Sequence, residues 1–362
     1  MKFRPFVVIN SVCFGIILGF GLTYALHRNP LDGDFPAFYL AGKAVNEGAN
    51  LYDNERHHRQ LHELNSTVAQ GELLPYLYPP WFALLFAPLA YLPPVAALVT
   101  WGICSLLLYT SGLRIAADDR WLGVLPVALA FPPFLFENLI GGQVACFGFF
   151  AYALAINFER NGAEYAEGFA LALLTYKPTL LLLILPLLFI RRAWRVLVGF
   201  CVGCALLGSV SLLLVGVEGC VAYVNQLLAY RSGIVEGSLR PPVEKFLNLG
   251  KYTILFAPII LFIGRKNFKL SDLIPWTLAL NIYTPIYDTV LMVFPALDVL
   301  RNPYRRGILL VVALFIVPYF TQPLARVTGF HVFTLVLLAF GIYIAVNRSR
   351  ERHHKVEADI TV

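Results

Sequence analysis

The sequence predicts an all-α polytopic membrane protein, a bundle of about twelve spans or half-spans with a helical first loop segment. Three observations lead there. Of 362 residues, 58% are hydrophobic and 14% charged, against about 25% charged in a soluble domain. Mean hydropathy is +0.69, more apolar surface than a water-soluble fold can hide. The apolar runs are continuous and recur along the whole chain, as transmembrane helices require. Their lack of strict alternation excludes a transmembrane β-barrel.

The runs fall at 6–26, 95–114, 121–138, 143–158, 165–190, 196–217, 251–264, 270–284, 286–300, 307–321 and 329–347. The first follows Lys2 and Arg4 and is longer than a signal-peptide core. Thr23-Tyr24-Ala25 is also a poor cleavage site, so the run reads as an uncleaved first helix. The stretch 77–94 carries Pro79, Pro80, Pro88, Pro93 and Pro94. Proline removes backbone donors, so this is a weak span that suits the interface. The run 165–190 reads as a hairpin broken at Lys177-Pro178.

Charge sets the orientation. In this arrangement one side collects Lys2/Arg4, Arg114/Arg120, Arg160, Arg191/Arg192/Arg195, Arg265/Lys266/Lys269, Arg301/Arg305/Arg306 and Arg348/Arg350/Arg352/Lys355. These are most of the 28 Lys and Arg residues, and the positive-inside rule makes that side cytoplasmic. The net charge of +6 is thereby an orientation signal rather than a nucleic-acid footprint. Residues 1–347 form a single transmembrane domain, and 348–362 a basic, disordered cytoplasmic tail that includes His353 and His354. The segments 27–94 and 218–250 face outward, and chemistry in water belongs there. The first contains two amphipathic stretches, 34–48 and 54–70. No internal repeat of the transporter kind is visible. The six cysteines read as small apolar packers, Cys201 and Cys204 included, because no second ligand pair accompanies them.

Asp34 sits a few residues beyond the first run, in Asp32-Gly33-Asp34-Phe35-Pro36-Ala37-Phe38-Tyr39. A carboxylate there can take a proton from a hydroxyl substrate, with Phe35, Phe38 and Tyr39 as a wall. An N-cap with Pro36 in the first turn is the alternative, and composition leaves the two about even. Tyr76-Leu77-Tyr78-Pro79-Pro80-Trp81 has the aromatic density of a headgroup anchor. Glu137-Asn138-Leu139-Ile140-Gly141-Gly142-Gln143 is a glycine turn whose Asn138 and Gln143 can bond a sugar or phosphate or simply supply loop polarity. Lys177, inside an apolar run, is costly at membrane depth and therefore faces a cavity or partner. A phosphate is favoured, and pairing with Asp288 is the alternative. Asp288, in Tyr283-Thr284-Pro285-Ile286-Tyr287-Asp288, is an intramembrane acid with the same functional default. Asp298, one turn from Arg301, reads as a local ion pair. His58 and His62, four apart, lack a third metal ligand and, with Glu55, Arg56, Arg59 and Glu63, read as a solvated face. His331 is the one histidine expected within a span.

Asp34-Phe35, Tyr39, Ala41, Gly48 and Leu51-Tyr52, then Tyr78-Pro79-Pro80, Pro88-Leu89, Leu92-Pro93, Trp101 and Gly142-Gln143 lead an ordered set of motifs. It continues through Gly168, Lys177-Pro178, Arg191-Arg192-Ala193-Trp194-Arg195 and Thr284-Pro285…Tyr287-Asp288. Together they resemble glycosyltransferase family 87, over about residues 5–345. That family includes the mycobacterial polyprenyl-phosphate-mannose-dependent mannosyltransferases. Their branch carries a Trp-Asp-His type motif where this chain reads Ile286-Tyr287-Asp288-Thr289.

The resemblance implies a GT-C-type bundle whose first outer loop carries a catalytic aspartate. It further implies a polyprenyl-phosphate sugar donor and inversion at the anomeric centre. Asp34 matches the catalytic position and Lys177 a lysine near the donor phosphate. The expectation is a hexosyltransferase of the bacterial inner membrane. It would move a hexose such as mannose to a hydroxyl of a lipid or glycan acceptor on the extracytoplasmic side. Lys177, Asp288, Gln143, Tyr39, Tyr78 and His331 would contact the donor, with Arg240 or Lys245 as further cations. The tail would lie on 77–94. Neither metal nor cofactor is expected, and no nucleic-acid partner. A lipid or glycan transporter, or a non-catalytic partner in envelope glycan assembly, is the alternative.

Overall fold

The computed structural model describes residues 15–16, 19–21, 23, 27, 31, 33–64, 75–117, 119, 121–230, 236–301, 305–329 and 331–360. The first expected span thus lies almost wholly outside the described residues. No strand occurs among them. The helices are α1 (Phe35–Asn46), α2 (Asn54–Leu64), α3 (Pro94–Ala117), α4 (Trp121–Leu129), α5 (Ala145–Asn161), α6 (Glu164–Leu173) and α7 (Ile184–Ile190). They continue as α8 (Trp194–Ala229), α9 (Arg240–Leu247), α10 (Ala257–Gly264), α11 (Leu270–Leu280), α12 (Val293–Arg301), α13 (Arg305–Thr328) and α14 (Phe333–Ile360).

Among the described residues, α3, α8 and the part Phe333–Arg350 of α14 are long and apolar enough to cross a membrane. A fourth is α4 with the π-helical Pro133–Ile140, if a pair bent by 71° counts as one span. The continuous span expected over 121–138 is therefore broken. Pro132 and Pro133 lie at the break and cannot continue the hydrogen-bond ladder. The other apolar helices are shorter pieces: Pro178–Ile190, Gly250–Gly264, Leu270–Leu280 and Gly307–Thr321. Several meet 3-10 turns, as at Leu174–Tyr176, Pro178–Leu181 and Ile286–Met292. Over 77–94 only the short turns Pro80–Ala83 and Leu89–Tyr91 form, as five prolines dictate.

The chain packs as two compact units. Unit 1 takes Met1–Ala151, Thr175–Lys177 and Cys201–Ser232, and unit 2 takes Tyr152–Leu174, Pro178–Phe200 and Gly233–Val362.

In unit 1, α1 is a buried rod, which corrects the amphipathic reading of 34–48. Phe35 through Gly42 are all buried, because the polar residues Lys43 and Asn46 are confined to its last turn and Glu47 to its C-cap. A Cβ on Gly42 would strike the Phe86 carbonyl, so glycine lets α1 lie directly on the turn after Pro80. Asn46 Nδ2 donates to Ala87 O at 2.8 Å and Tyr39 OH to Leu92 O at 3.0 Å, fastening its middle and its last residue. Tyr109 of α3 stacks on Phe134 at 4.0 Å and meets Phe149 at 4.7 Å, joining α3, the π-helix and α5. The unit 1 part of α8 reaches past the expected end at 217, to Ala229, with a break at Gly216 (φ 68°, ψ −175°). Cys201 on this helix is exposed, so it does not pack within the protein as expected.

In unit 2, α11 is buried along its whole length. Its start is tied electrostatically. Arg348 Nε and Nη2 donate to the Asp272 carboxylate at 2.8 and 3.1 Å, and the Leu270 N–H donates to the Glu159 carboxylate at 3.2 Å. Asp298 pairs with Arg301 at 2.8 Å and accepts from Ser271 Oγ at 2.7 Å, so the local ion pair extends to a second helix. Gly341 brings α14 against Trp276, where a Cβ would lie 2.5 Å from the indole. The α14 backbone stays helical to Ile360, which corrects the disordered tail. Nothing after Arg350 is a helix breaker, and Glu351 and Lys355 have the i,i+4 spacing that supports a helix.

Candidate functional site

Asp34 occupies the N-cap position of α1, yet its side chain makes no capping hydrogen bond. Its Oδ2 instead accepts from Gln143 Nε2. Two glycines make this meeting possible. A Cβ on Gly33 would lie 2.5 Å from the Gly141 carbonyl oxygen, and one on Gly142 would lie 2.6 Å from Phe35 Cβ. Gly142 also has φ +71°, a conformation that costs an L-residue. The turn 141–143 can therefore slide under the start of α1.

Gln143 is held from behind. Its backbone N–H donates to Glu137 O at 3.1 Å, and its carbonyl accepts from Trp101 Nε1 at 3.1 Å. The side chain is buried, and Oε1 has no hydrogen-bond partner. Asn138, expected as a ligand group or loop polarity, serves the backbone. It is buried, its Nδ2 donates to Pro133 O at 2.8 Å, and its Oδ1 accepts from Cys146 N at 3.2 Å. A π-helix such as Pro133–Ile140 widens the helix locally and often marks a functional position.

Aromatic contacts connect α1 to the Lys177 turn. Phe38 meets Tyr78 at 5.1 Å, and Tyr78 stacks on Tyr176 at 6.0 Å with planes 10° apart. Tyr176 is fully buried and is seated by Gly148, where a Cβ would strike its hydroxyl. Lys177 follows it directly and is half-buried, where the helix gives way to 3-10 turns. Tyr39 spends its hydroxyl on Leu92, and the Tyr78 carbonyl accepts from Tyr52 OH at 2.8 Å. Tyr76 and Trp81 are buried. That corrects the reading of this stretch as a row of headgroup anchors, since both rings pack against other aromatics in unit 1. Asp34, Tyr39, Tyr78, Gln143 and Lys177 thus share unit 1.

On α2, His58 and His62 meet edge-on at 4.8 Å between ring centroids. His57 is buried, its Nε2 has no partner, and burial lowers its pKa to about 4. It does not belong to the solvated face expected of this stretch.

Asp288 and His331 belong to unit 2. Asp288 is buried in the 3-10 turn Ile286–Met292, its N–H donating to Pro285 O at 3.1 Å. His331 is 1% exposed, and neither ring nitrogen has a hydrogen-bond partner. Buried polar groups are ordinarily hydrogen-bonded, so this imidazole is an exception. Around it the chain folds on itself. Thr334 N donates to His331 O, Thr334 Oγ1 to Gly237 O at 2.9 Å, and Gly237 N to Thr284 O at 2.8 Å. Glu236, which the sequence reading passed over, is buried here and accepts from the Thr284 N–H. Its signal in the sequence was an acid directly after Ile234-Val235. Asn281 is likewise buried, with its Nδ2 unpartnered. Lys245 donates to Thr328 O, and Arg240 Nη1 lies 3.5 Å from Ile282 O.

The model of one protein family, glycosyltransferase family 87, matches residues 76–317. The matched range contains Tyr78, Gln143, Lys177 and Asp288; Asp34, Tyr39 and His331 lie beyond it. No curated protein and no solved structure matches the chain.

Proposed function

Because the chain belongs to glycosyltransferase family 87, we propose that it transfers a hexose from a polyprenyl-phosphate donor to a hydroxyl acceptor, with Asp34 as general base. One observation carries this reading: the Asp34 carboxylate stands at the head of α1, unused for capping and held by Gln143. A base must be held in a fixed direction to take a proton from its substrate, and the Gln143 amide supports that reading by orienting the carboxylate.

The acceptor oxygen attacks the anomeric carbon while Asp34 takes its proton. The bond from that carbon to the phosphate oxygen breaks, and polyprenyl phosphate leaves with the electron pair. Attack opposite the leaving group inverts the centre. The negative charge gathering on the phosphate needs a cation, and Lys177 is assigned to it. Gln143, Tyr39 and Tyr78 are assigned to the donor's surroundings in unit 1. The apolar tail would follow the exposed Leu84, Leu85, Tyr91 and Leu92, at the extracytoplasmic side of the bacterial inner membrane.

The test is transfer from radiolabelled polyprenyl-phosphate hexoses to membrane glycolipids by the reconstituted full chain. Asp34→Asn should abolish transfer with insertion and thermal stability unchanged. Undiminished turnover by that variant would overturn the assignment. Movement of label across the vesicle without transfer would establish a transporter instead.

A further inference from the structure

In unit 2 the ends of α7 and α10 lie side by side, joined by the side chain of Arg191. Its Nε donates to Arg265 O at 2.9 Å, and its Nη2 to Gly264 O at 2.7 Å and Phe268 O at 2.6 Å. The end of α7 closes on itself, Arg192 N donating to Phe189 O and Ala193 N to Leu188 O, both at 3.0 Å. Two helix C-termini would ordinarily repel an anion, but here one guanidinium and these turns occupy their carbonyls. What the pair then presents is Arg192, Arg265 and Lys266, all exposed. We propose that these three cations bind the phosphate of an anionic phospholipid, in the leaflet that the basic clusters mark as cytoplasmic. The proposal does not depend on Asp34 or on the transfer reaction.

The charge excess is local. The sequence has no acid between Glu167 and Glu218, or between Glu244 and Asp272. The acids that act on Arg191 are Glu159, Asp272 and Glu167. Glu159 accepts from the Leu270 N–H, Asp272 pairs with Arg348, and Glu167 is buried. Glu164 pairs with Arg195. Among the described residues no carboxylate pairs with Arg192, Arg265 or Lys266. Arg192 also has φ 56°, at a position after a helix where glycine is usual. The chain keeps a cation there against a backbone cost.

The surroundings make the ligand a lipid rather than a soluble anion. Phe189, Ile190, Ile259, Phe262 and Ile263 are exposed, and the spacing of the last three puts them on one face of α10. The Arg265 guanidinium lies 3.9 Å from the centre of the Phe262 ring, so charge and apolar strip adjoin. Trp194 is 53% exposed and meets Phe189 edge-on at 5.5 Å, and indole favours the headgroup level. Acyl chains on the strip would bring their phosphate to the cations, as at other basic sites between membrane helices.

The test uses the full chain in phosphatidylcholine nanodiscs with a rising share of phosphatidylglycerol. Either lipid carries dibrominated chains, which quench nearby indoles. Brominated phosphatidylglycerol should quench more than brominated phosphatidylcholine at equal mole fraction, and Trp194→Phe should remove the excess. Arg192→Gly relieves the left-handed backbone, so it should melt no lower than the parent in phosphatidylcholine. The same variant should lower the preference for phosphatidylglycerol about fivefold, the effect of one cation at a membrane surface. Arg192→Gln with Arg265→Gln and Lys266→Gln should abolish it, and Arg114→Gln in unit 1 should leave it intact. Equal quenching by the two lipids overturns the proposal, as does a preference that survives the triple variant or falls equally in Arg114→Gln. Displacement of the lipid by millimolar inorganic phosphate at constant ionic strength would make this a soluble-anion site and overturn it too.

Discussion

Gln143 donates its side-chain amide to the carboxylate of Asp34, across 109 residues of sequence. The contact converts an ordinary N-cap position into a carboxylate with a fixed direction. Gln143→Leu should keep the turn, since the backbone bonds to Glu137 and Trp101 remain, but remove the amide that orients Asp34. A fall of about 10–100-fold in kcat is expected, the range of a mispositioned base. Steady-state kinetics on the reconstituted variant check it. An unchanged kcat would mean that the amide does not orient the base.

Gly142→Ala should be among the most damaging single-methyl changes in unit 1. The new Cβ would lie 2.6 Å from Phe35 Cβ on a backbone with φ +71°. A loss of about 2–3 kcal/mol follows from strain and overlap. Gly48→Ala provides the comparison, because φ is +61° there but the space is open. The melting temperatures of the two variants should differ clearly, with Gly142→Ala the lower.

His57 makes unit 1 sensitive to acid. Burial lowers its pKa from 6.5 to about 4, so the folded form binds fewer protons than the unfolded form between those values. Its contribution is complete above pH ~6.5 and is lost as pH falls toward 4, by up to about 3 kcal/mol. Amide protection in α2, corrected for the intrinsic exchange rate at each pH, should fall between pH 7 and 5. His57→Leu should flatten that dependence; an equal fall in the variant would assign it to another group.

Arg348→Met should strand the buried Asp272 carboxylate. Removing one partner of a buried pair costs about 3–5 kcal/mol, whereas the double change Arg348→Met with Asp272→Asn should recover part of it. Thermal unfolding of both proteins gives the comparison. Equal destabilisation in the single and double variants would mean the pair is not coupled.

Lys177→Met should raise the donor KM at least tenfold and leave acceptor KM nearly unchanged, if the ammonium meets the donor phosphate. Lys177→Arg should recover much of the loss. A purely structural lysine would lower both variants' stability without that split.

The helical class and its interruptions were legible in the sequence because they are local. The prolines of 77–94 and Pro178 marked interruptions that the structure has, whereas the break at Pro132 and Pro133 fell inside a run that hydropathy alone made continuous. Asp298 and Arg301 were legible for the same reason, being one turn apart. What escaped was tertiary. Nothing near Asp34 in sequence announces that Gln143 will take its carboxylate, or that Gly33 and Gly142 exist to permit it. The burial of Tyr76 and Trp81 likewise depends on distant rings. Their density looked like an interface because aromatic residues serve cores and interfaces equally well.

The break at Gly216 has a mechanical consequence. It lies 22 residues beyond Trp194, ~33 Å of helix, about the thickness of the hydrocarbon layer. Beyond it the helix still carries Gln226, whose amide holds the Tyr76 carbonyl at 2.8 Å, and Tyr223, whose ring lies 5.9 Å from Tyr52. A bilayer thinner or thicker than that first length would lean on this joint and tug the tyrosines through Gln226.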